Sequence, residues 1–255
     1  MQIADVWGAI LMVSKLSKLS FERHFLPAFV VGAWLAVLLG FHPSVTRRWN
    51  GEADYPAPLI LQLHVFAATG WLVLLTIQIL LARRQRLSLH QTLGLGALVL
   101  IPAIVITGLG AEVYSQRFYS PRYPENLRFF IAPLFQMLVF AVAASLAVIK
   151  RREAATHKRL IVVATSMLLV AAYNRWWGEG LYELYGDGFL GMITHNFAGP
   201  NLLVLLAAGF DWLTLKRIHP VFAITIPLLI VGELAVSAIY HSAAWPGIAR
   251  SLVGL

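Results

Sequence analysis

The sequence contains no cysteine and has few charged residues. Without thiols the chain cannot form disulfides, cysteine-ligated iron–sulfur clusters or thiolate metal sites. Charged side chains make up 13% of the 255 residues and hydrophobic ones 59%, whereas roughly 25% charged residues is usual in a soluble domain. This balance excludes an ordinary soluble domain and predicts an integral membrane protein.

Acidic residues are scarcer than basic ones, 12 against 20, and the formal net charge is +8. The basic residues stand in short segments between apolar runs and not in one patch, so we expect a lipid bilayer as partner and no nucleic acid. Most of them fall on the side of the predicted membrane that carries the N-terminus. The positive-inside rule therefore predicts a bacterial inner (plasma) membrane protein with a cytoplasmic N-terminus and a periplasmic C-terminus.

The apolar runs predict an all-α bundle of about seven transmembrane helices. Residues 1–24 repeat apolar positions at helical spacing and include two lysines, which predicts an amphipathic helix on the membrane surface. Residues 25–255 are expected to form a single transmembrane domain. Its expected spans are 25–41, 58–82, 90–109, 129–149, 158–174, 198–213 and 221–240.

Polar residues recur on one face of the second expected span. His64, Trp71 and Gln78 are seven residues apart, so they share a helix face. Lipid offers such groups no hydrogen-bond partner, and we therefore expect this face to point into the protein.

A second set of polar residues lies at the predicted cytoplasmic ends of the helices: His90, His157, His219 and Asp211. Imidazole binds haem iron and divalent metals, and a carboxylate can complete a metal site. The pattern predicts His90 and His157 as ligands of haem b, or all four residues as ligands of a divalent metal. The alternative interpretation is that these histidines are hydrated interfacial residues that cap helices.

A third set is expected nearer the other membrane surface and consists of His64, Gln78, Arg175 and Glu233. Glu233 lies deep in a span, where an ionisable group is costly unless it is paired or neutral. We expect it to pair with His64 or Arg175, or to be a neutral carboxyl that makes one hydrogen bond between helices. Such a cluster could pass protons or hold a quinone head group.

Several motifs resemble a family of uncharacterised bacterial multi-pass membrane proteins. The residues that carry the resemblance are His64, Trp71, Gln78, Leu89-His90-x-x-Leu93-Gly94, His157-Lys158-Arg159, Arg175-Trp176, Asp211 and His219-Pro220. The chain departs from the family at Gln91, where an arginine is usual. The resemblance implies a multi-pass helical fold over most of the chain from about Phe25 onward, and it implies no activity.

A weaker resemblance is to transmembrane haem proteins of the cytochrome b561 kind, which hold haem between histidines on alternating helices. His90 and His157 match this arrangement, but the fourth expected span contains no histidine. The resemblance therefore implies at most one haem.

Three functions remain open at this point. The leading hypothesis is a membrane redox protein with a histidine-lined site for haem b or a metal. The second is a non-catalytic accessory or scaffolding subunit of a larger energy-transducing membrane complex, with other membrane subunits as partners. The third is a metal-dependent membrane hydrolase.

Overall fold

The computed structural model describes residues 21–53 and 55–255. In these residues all regular structure is helical, and they contain no strand. The surface helix predicted for residues 1–24 lies outside the described residues except for its last four positions, which belong to a short π-helical turn, Phe21–Phe25.

Ten α-helices follow this turn in the described residues. They are α1 (Leu26–Trp49), α2 (Leu59–Arg83), α3 (Leu87–Gly94), α4 (Ala97–Tyr119), α5 (Ile131–Ile149), α6 (Ala154–Leu168), α7 (Val170–Tyr185), α8 (Phe189–Leu215), α9 (Pro220–His241) and α10 (Trp245–Val253). A 3₁₀-helix, Pro124–Phe130, leads into α5.

Six of the described helical segments are long and apolar enough to cross a membrane, with α3 and α4 together forming one of them. The pair α6 and α7 is bent by 52° at Leu169 and forms a seventh span if it crosses as a unit. The all-α membrane bundle predicted from the apolar runs is confirmed.

Some helices extend further than the apolar runs predict. Helix α4 continues to Tyr119, ten residues beyond the expected end, because its polar residues face other helices and need not end the span. The segment between the fifth and sixth expected spans is not a loop, since α7 and α8 fill it and only three residues join them. Gly186 makes this tight turn with φ +69°, a conformation that suits glycine.

Small residues let the helices approach closely, as is usual in membrane bundles. Gly40 on α1 lies directly against the backbone of Ala172 on α7, where a Cβ atom has no room. Gly199 on α8 lies against the ring of Tyr173 in the same way. These two contacts hold α7 between α1 and α8.

The short helix α10 closes one end of the bundle. The Trp245 indole donates to the carbonyl oxygen of Arg128 at 3.0 Å, and the Arg128 guanidinium donates to the carbonyl oxygen of Tyr240 at 2.7 Å. The segments 84–86, 150–153 and 216–219 lie at the opposite end, because the spans alternate in direction. We call this second end the basic end, since each of the three segments contains basic residues.

Candidate functional site: a histidine pair at the basic end

His90 on α3 and His157 on α6 have the same hydrogen-bonding arrangement. The Nδ1 atom of His90 lies 3.2 Å from the carbonyl oxygen of Gln78, and that of His157 lies 2.7 Å from the carbonyl oxygen of Ala147. A carbonyl oxygen only accepts, so Nδ1 carries the hydrogen in both rings. The lone pair of each neutral imidazole is therefore on Nε2, and a backbone carbonyl commonly fixes metal-binding histidines in this tautomer.

The two imidazoles are close enough to interact electrostatically. They come from helices that are far apart in sequence, and their acceptors lie near the ends of α2 and α5. This interaction places the two histidines in the same part of the bundle, which no spacing in the sequence can show.

The side chain of Gln78 lies against Gly94 of the His-x-x-Leu-Gly motif that begins with His90. Both its amide nitrogen and its amide oxygen are buried, and neither has a hydrogen-bond partner among the described residues. Buried amides are nearly always hydrogen-bonded, to water or a ligand when no protein group serves. Gln78 therefore belongs to the basic end and not to the cluster with Arg175 in which the sequence analysis placed it.

Asp211, the expected carboxylate ligand, is already bound to a cation. Its two oxygens accept from the Nε and Nη2 atoms of Arg159 at 2.7 and 2.5 Å, and both side chains are buried. A carboxylate in such a bidentate pair has little capacity left for a metal.

His219 acts as a helix cap. Its Nδ1 atom accepts from the backbone N–H of Val221 at 3.2 Å at the start of α9. The lone pair of the neutral ring is thereby used, and the hydrogen is on Nε2. Burial lowers the pKa of His219, and the nearby Arg159 guanidinium lowers it further. This is the capping role that the sequence left open as an alternative.

Within the described residues, no three His, Asp or Glu side chains come together as a metal site. The predicted set of His90, His157, His219 and Asp211 thus divides into a histidine pair, a helix cap and a buried ion pair.

The polar face of α2 points into the protein, as predicted. Trp71 donates to Thr165 Oγ1 on α6 at 3.0 Å, and both residues are buried. The Nδ1 atom of His64 lies 3.3 Å from Thr107 Oγ1 on α4. The Thr107 hydroxyl donates to the carbonyl oxygen of Ala103, so it accepts from His64.

Glu233 on α9 makes one hydrogen bond between helices, to a partner that the sequence did not predict. Its Oε2 atom accepts from the amide of Asn201 on α8 at 2.8 Å, and its Oε1 atom is buried with no partner among the described residues. Of the two expectations for this residue, a single hydrogen bond between helices matches the geometry, whereas a pair with His64 or Arg175 does not.

Arg175 instead interacts electrostatically with Glu112 of α4, a residue that lies between the third and fourth expected spans. Its Nη1 atom donates to the carbonyl oxygen of Ala171 at 2.9 Å, and its guanidinium lies 4.9 Å from the ring centroid of Phe41. The polar stripe Glu112, Ser115, Gln116 and Tyr119 follows helical spacing and could have indicated that α4 continues.

Comparison with models of known protein families gives no match, and neither the curated proteins nor the solved structures contain a significant match to this chain. Function is therefore inferred from the sequence and from the geometry of the histidine pair.

Proposed function

We propose that this protein is a membrane redox protein that binds haem b, or else a single divalent metal ion, between His90 and His157. The observation that carries the proposal is the shared tautomer of these residues. Two neutral imidazoles from different helices keep their Nε2 lone pairs available and interact electrostatically. Such a pair would supply the two protein ligands of a b-type haem.

The donor set fits this group. Haem iron needs only two protein ligands here, and the described residues offer a pair and no triad. The buried amide of Gln78 would offer a hydrogen-bond donor and acceptor to a haem propionate or to water, or its oxygen as a ligand to a metal ion. A bound haem would supply one-electron chemistry, while the chain orients the imidazoles through the carbonyls of Gln78 and Ala147.

The geometry favours this function over a membrane hydrolase. A hydrolytic metal site commonly has three protein ligands and one open position. His219 and Asp211, which would complete such a site with His157, are engaged as a helix cap and as the partner of Arg159.

The proposal includes an orientation. The basic end carries the short segments rich in lysine and arginine between α2 and α3, between α5 and α6, and between α8 and α9. In a bacterial inner membrane this end faces the cytoplasm. The histidine pair then lies on the cytoplasmic side.

The experiment compares cofactor content in His90→Ala, His157→Ala and His241→Ala proteins purified after expression with added haem precursor. His241 is the matched control, because it lies near α10 and both its ring nitrogens are near backbone carbonyls. We expect the first two variants to lose haem or metal and the control to keep it. Equal occupancy in all three would contradict the assignment. A protein with no chromophore or metal that purifies with defined subunits would instead support an accessory role.

A further inference from the structure

The short helix α10 buries one face against the protein. Trp245, Ala249 and Val253 recur every four residues, are buried, and pack in one hydrophobic cluster with the 3₁₀-helix Pro124–Phe130. The Trp245 indole is hydrogen-bonded to this 3₁₀-helix at the start of α10, and the Arg117 guanidinium donates to the carbonyl oxygen of Val253 at its end. These contacts fix the orientation of α10 about its own axis.

The exposed surface of α10 divides into an apolar side and a polar side. At 3.6 residues per turn, Ile248 and Leu252 lie together on one flank of the buried face, and they are 52% and 59% exposed. We call these two residues the apolar flank. Arg250 is exposed on the opposite side of the helix, and the exposed positions Gly247 and Ser251 lie between the two. An amphipathic surface of this kind is typical of helices that lie in a membrane interface.

The position of α10 in the chain places it at a membrane boundary. Helix α9 has 22 residues, which at the helical rise is about 33 Å and matches a hydrocarbon core of about 30 Å. Only residues 242–244 separate α9 from α10, so α10 begins where a span ends. With nine residues α10 is too short to cross the membrane itself.

The charge of this segment suits phospholipid head groups. Residues 242–255 contain one charged side chain, Arg250, and no acidic one. The Arg250 guanidinium is exposed and has no carboxylate partner among the described residues. Guanidinium groups bind phosphate well. A phospholipid layer therefore offers acyl chains to one side of α10 and phosphates to the other.

The size of the apolar flank argues against a second protein as its partner. A specific protein interface buries about 800 Å² on each side, and two aliphatic side chains supply only a small part of that area. Lipid needs no minimum area, because each apolar group gains on its own from leaving water.

From these observations we propose that α10 is an interfacial helix that binds the phospholipid leaflet at its end of the bundle. The apolar flank lies among the acyl chains, and Arg250 faces the head groups. The protein contacts at Trp245 and Val253 hold the helix at this depth. The inference does not depend on the histidine pair, so the two proposals can fail separately.

The test uses single-cysteine variants of the full chain, which contains no cysteine of its own. A nitroxide spin label is attached to Ile248→Cys and Leu252→Cys proteins in nanodiscs of phosphatidylethanolamine and phosphatidylglycerol. Molecular oxygen concentrates in lipid and a neutral nickel chelate stays in water, so the relaxation that each causes reports what surrounds the label. We expect the ratio of oxygen to nickel accessibility to be several-fold higher at these two positions than on the polar side.

The polar side supplies the matched controls, Gly247→Cys and Ser251→Cys. A side chain at position 247 meets nothing within 4 Å, so this substitution needs no rearrangement. Leu228→Cys serves as the lipid reference, because Leu228 is 63% exposed within the span α9. Labels at 248 and 252 that resemble the one at 228 support the proposal.

Two results would overturn the proposal. Labels at 248 and 252 that respond to the nickel chelate as strongly as those at 247 and 251 would show that the apolar flank faces water. Labels at 248 and 252 that neither reagent reaches would show that protein, such as a second copy of the chain, covers the flank.

Discussion

Arg159 of α6 and Asp211 of α8 form a bidentate ion pair inside the bundle, with side chains only 3% and 0% exposed. The third nitrogen of the guanidinium donates to the carbonyl oxygen of Ala155, and its carbon lies 4.8 Å from the ring centroid of Phe21. The pair thus joins two helices and the turn that precedes α1. Arg159 is close in sequence to His157, and its pair with Asp211 holds the start of α6 in place.

Removing one member of this pair should strongly destabilise the protein. We expect Asp211→Ala to lower the free energy of unfolding by about 3–5 kcal/mol, because the Arg159 charge stays buried without its partner. The measurement is unfolding in mixed micelles with increasing dodecyl sulfate. The double variant Arg159→Met/Asp211→Leu should recover most of the loss. The exposed pair of Lys150 and Glu153 is the control, and Glu153→Gln should leave stability unchanged. A small effect of Asp211→Ala would contradict the structural role.

The capping role of His219 predicts that the stability of the folded protein depends on pH. Burial lowers the pKa of this imidazole, with Arg159, Arg217 and Lys158 acting in the same direction and Asp211 opposing them. The unfolded chain then binds a proton more readily than the folded one. The stability that neutral His219 contributes is fully present above the ordinary histidine pKa, about 6.5. It is lost as the pH falls through the lower pKa that His219 has in the folded protein.

His219→Asn tests this dependence, because asparagine caps helices well and does not titrate. The melting temperature of the wild-type protein should fall more between pH 8 and pH 5 than that of the variant. Identical pH profiles would show that His219 does not contribute.

The hydrogen bond between Trp71 and Thr165 links the polar face of α2 to α6. We expect Thr165→Val to cost about 1 kcal/mol of unfolding free energy, since the buried indole N–H loses its acceptor. Thr92→Val is the matched control, because Thr92 is exposed. If both variants lose the same stability in the dodecyl sulfate titration, the buried hydrogen bond has no special role.

The contact of Gly40 with Ala172 predicts that a larger side chain clashes at position 40. At Gly32, on the same helix, no clash is expected. A methyl group at position 40 meets the backbone of α7, whereas one at position 32 meets nothing within 4 Å. Gly40→Ala should therefore destabilise by about 1–3 kcal/mol through overpacking. Gly32→Ala should be neutral or slightly stabilising, because alanine favours the helix. A reversed order of the two melting temperatures would refute the predicted packing.

The sequence predicts the parts of this fold that depend on local pattern. Apolar runs identify most of the spans, and the spacing of His64, Trp71 and Gln78 correctly places them on a face that points inward. In contrast, α10 and the end of α4 were not predicted, because the exposed and buried residues there do not form a long apolar run. Polar residues such as Glu112 fell between the expected spans, although they belong to α4.

Partners that depend on tertiary packing could not be predicted in the same way. Asp211 and Arg159 lie 52 positions apart, and only the packing of α6 on α8 brings them together. Glu233 was expected either to pair with His64 or Arg175 or to make one hydrogen bond between helices, and only the packing of α8 against α9 identifies Asn201 as its partner. The tautomer of His219 likewise depends on the backbone geometry at the start of α9. Residue type indicates which side chains can bind a ligand or a metal. Packing determines which of them are already bound to another part of the protein.

The measurement that tests the central claim most directly is an absorption spectrum of the purified wild-type protein, oxidised and then reduced with dithionite, together with its metal content. The account predicts a reducible Soret and α band, or one equivalent of a divalent metal, that is lost in both His90→Ala and His157→Ala. A colourless, metal-free protein from cells with ample haem and metal supply would contradict it, because the two free Nε2 atoms would then bind neither group.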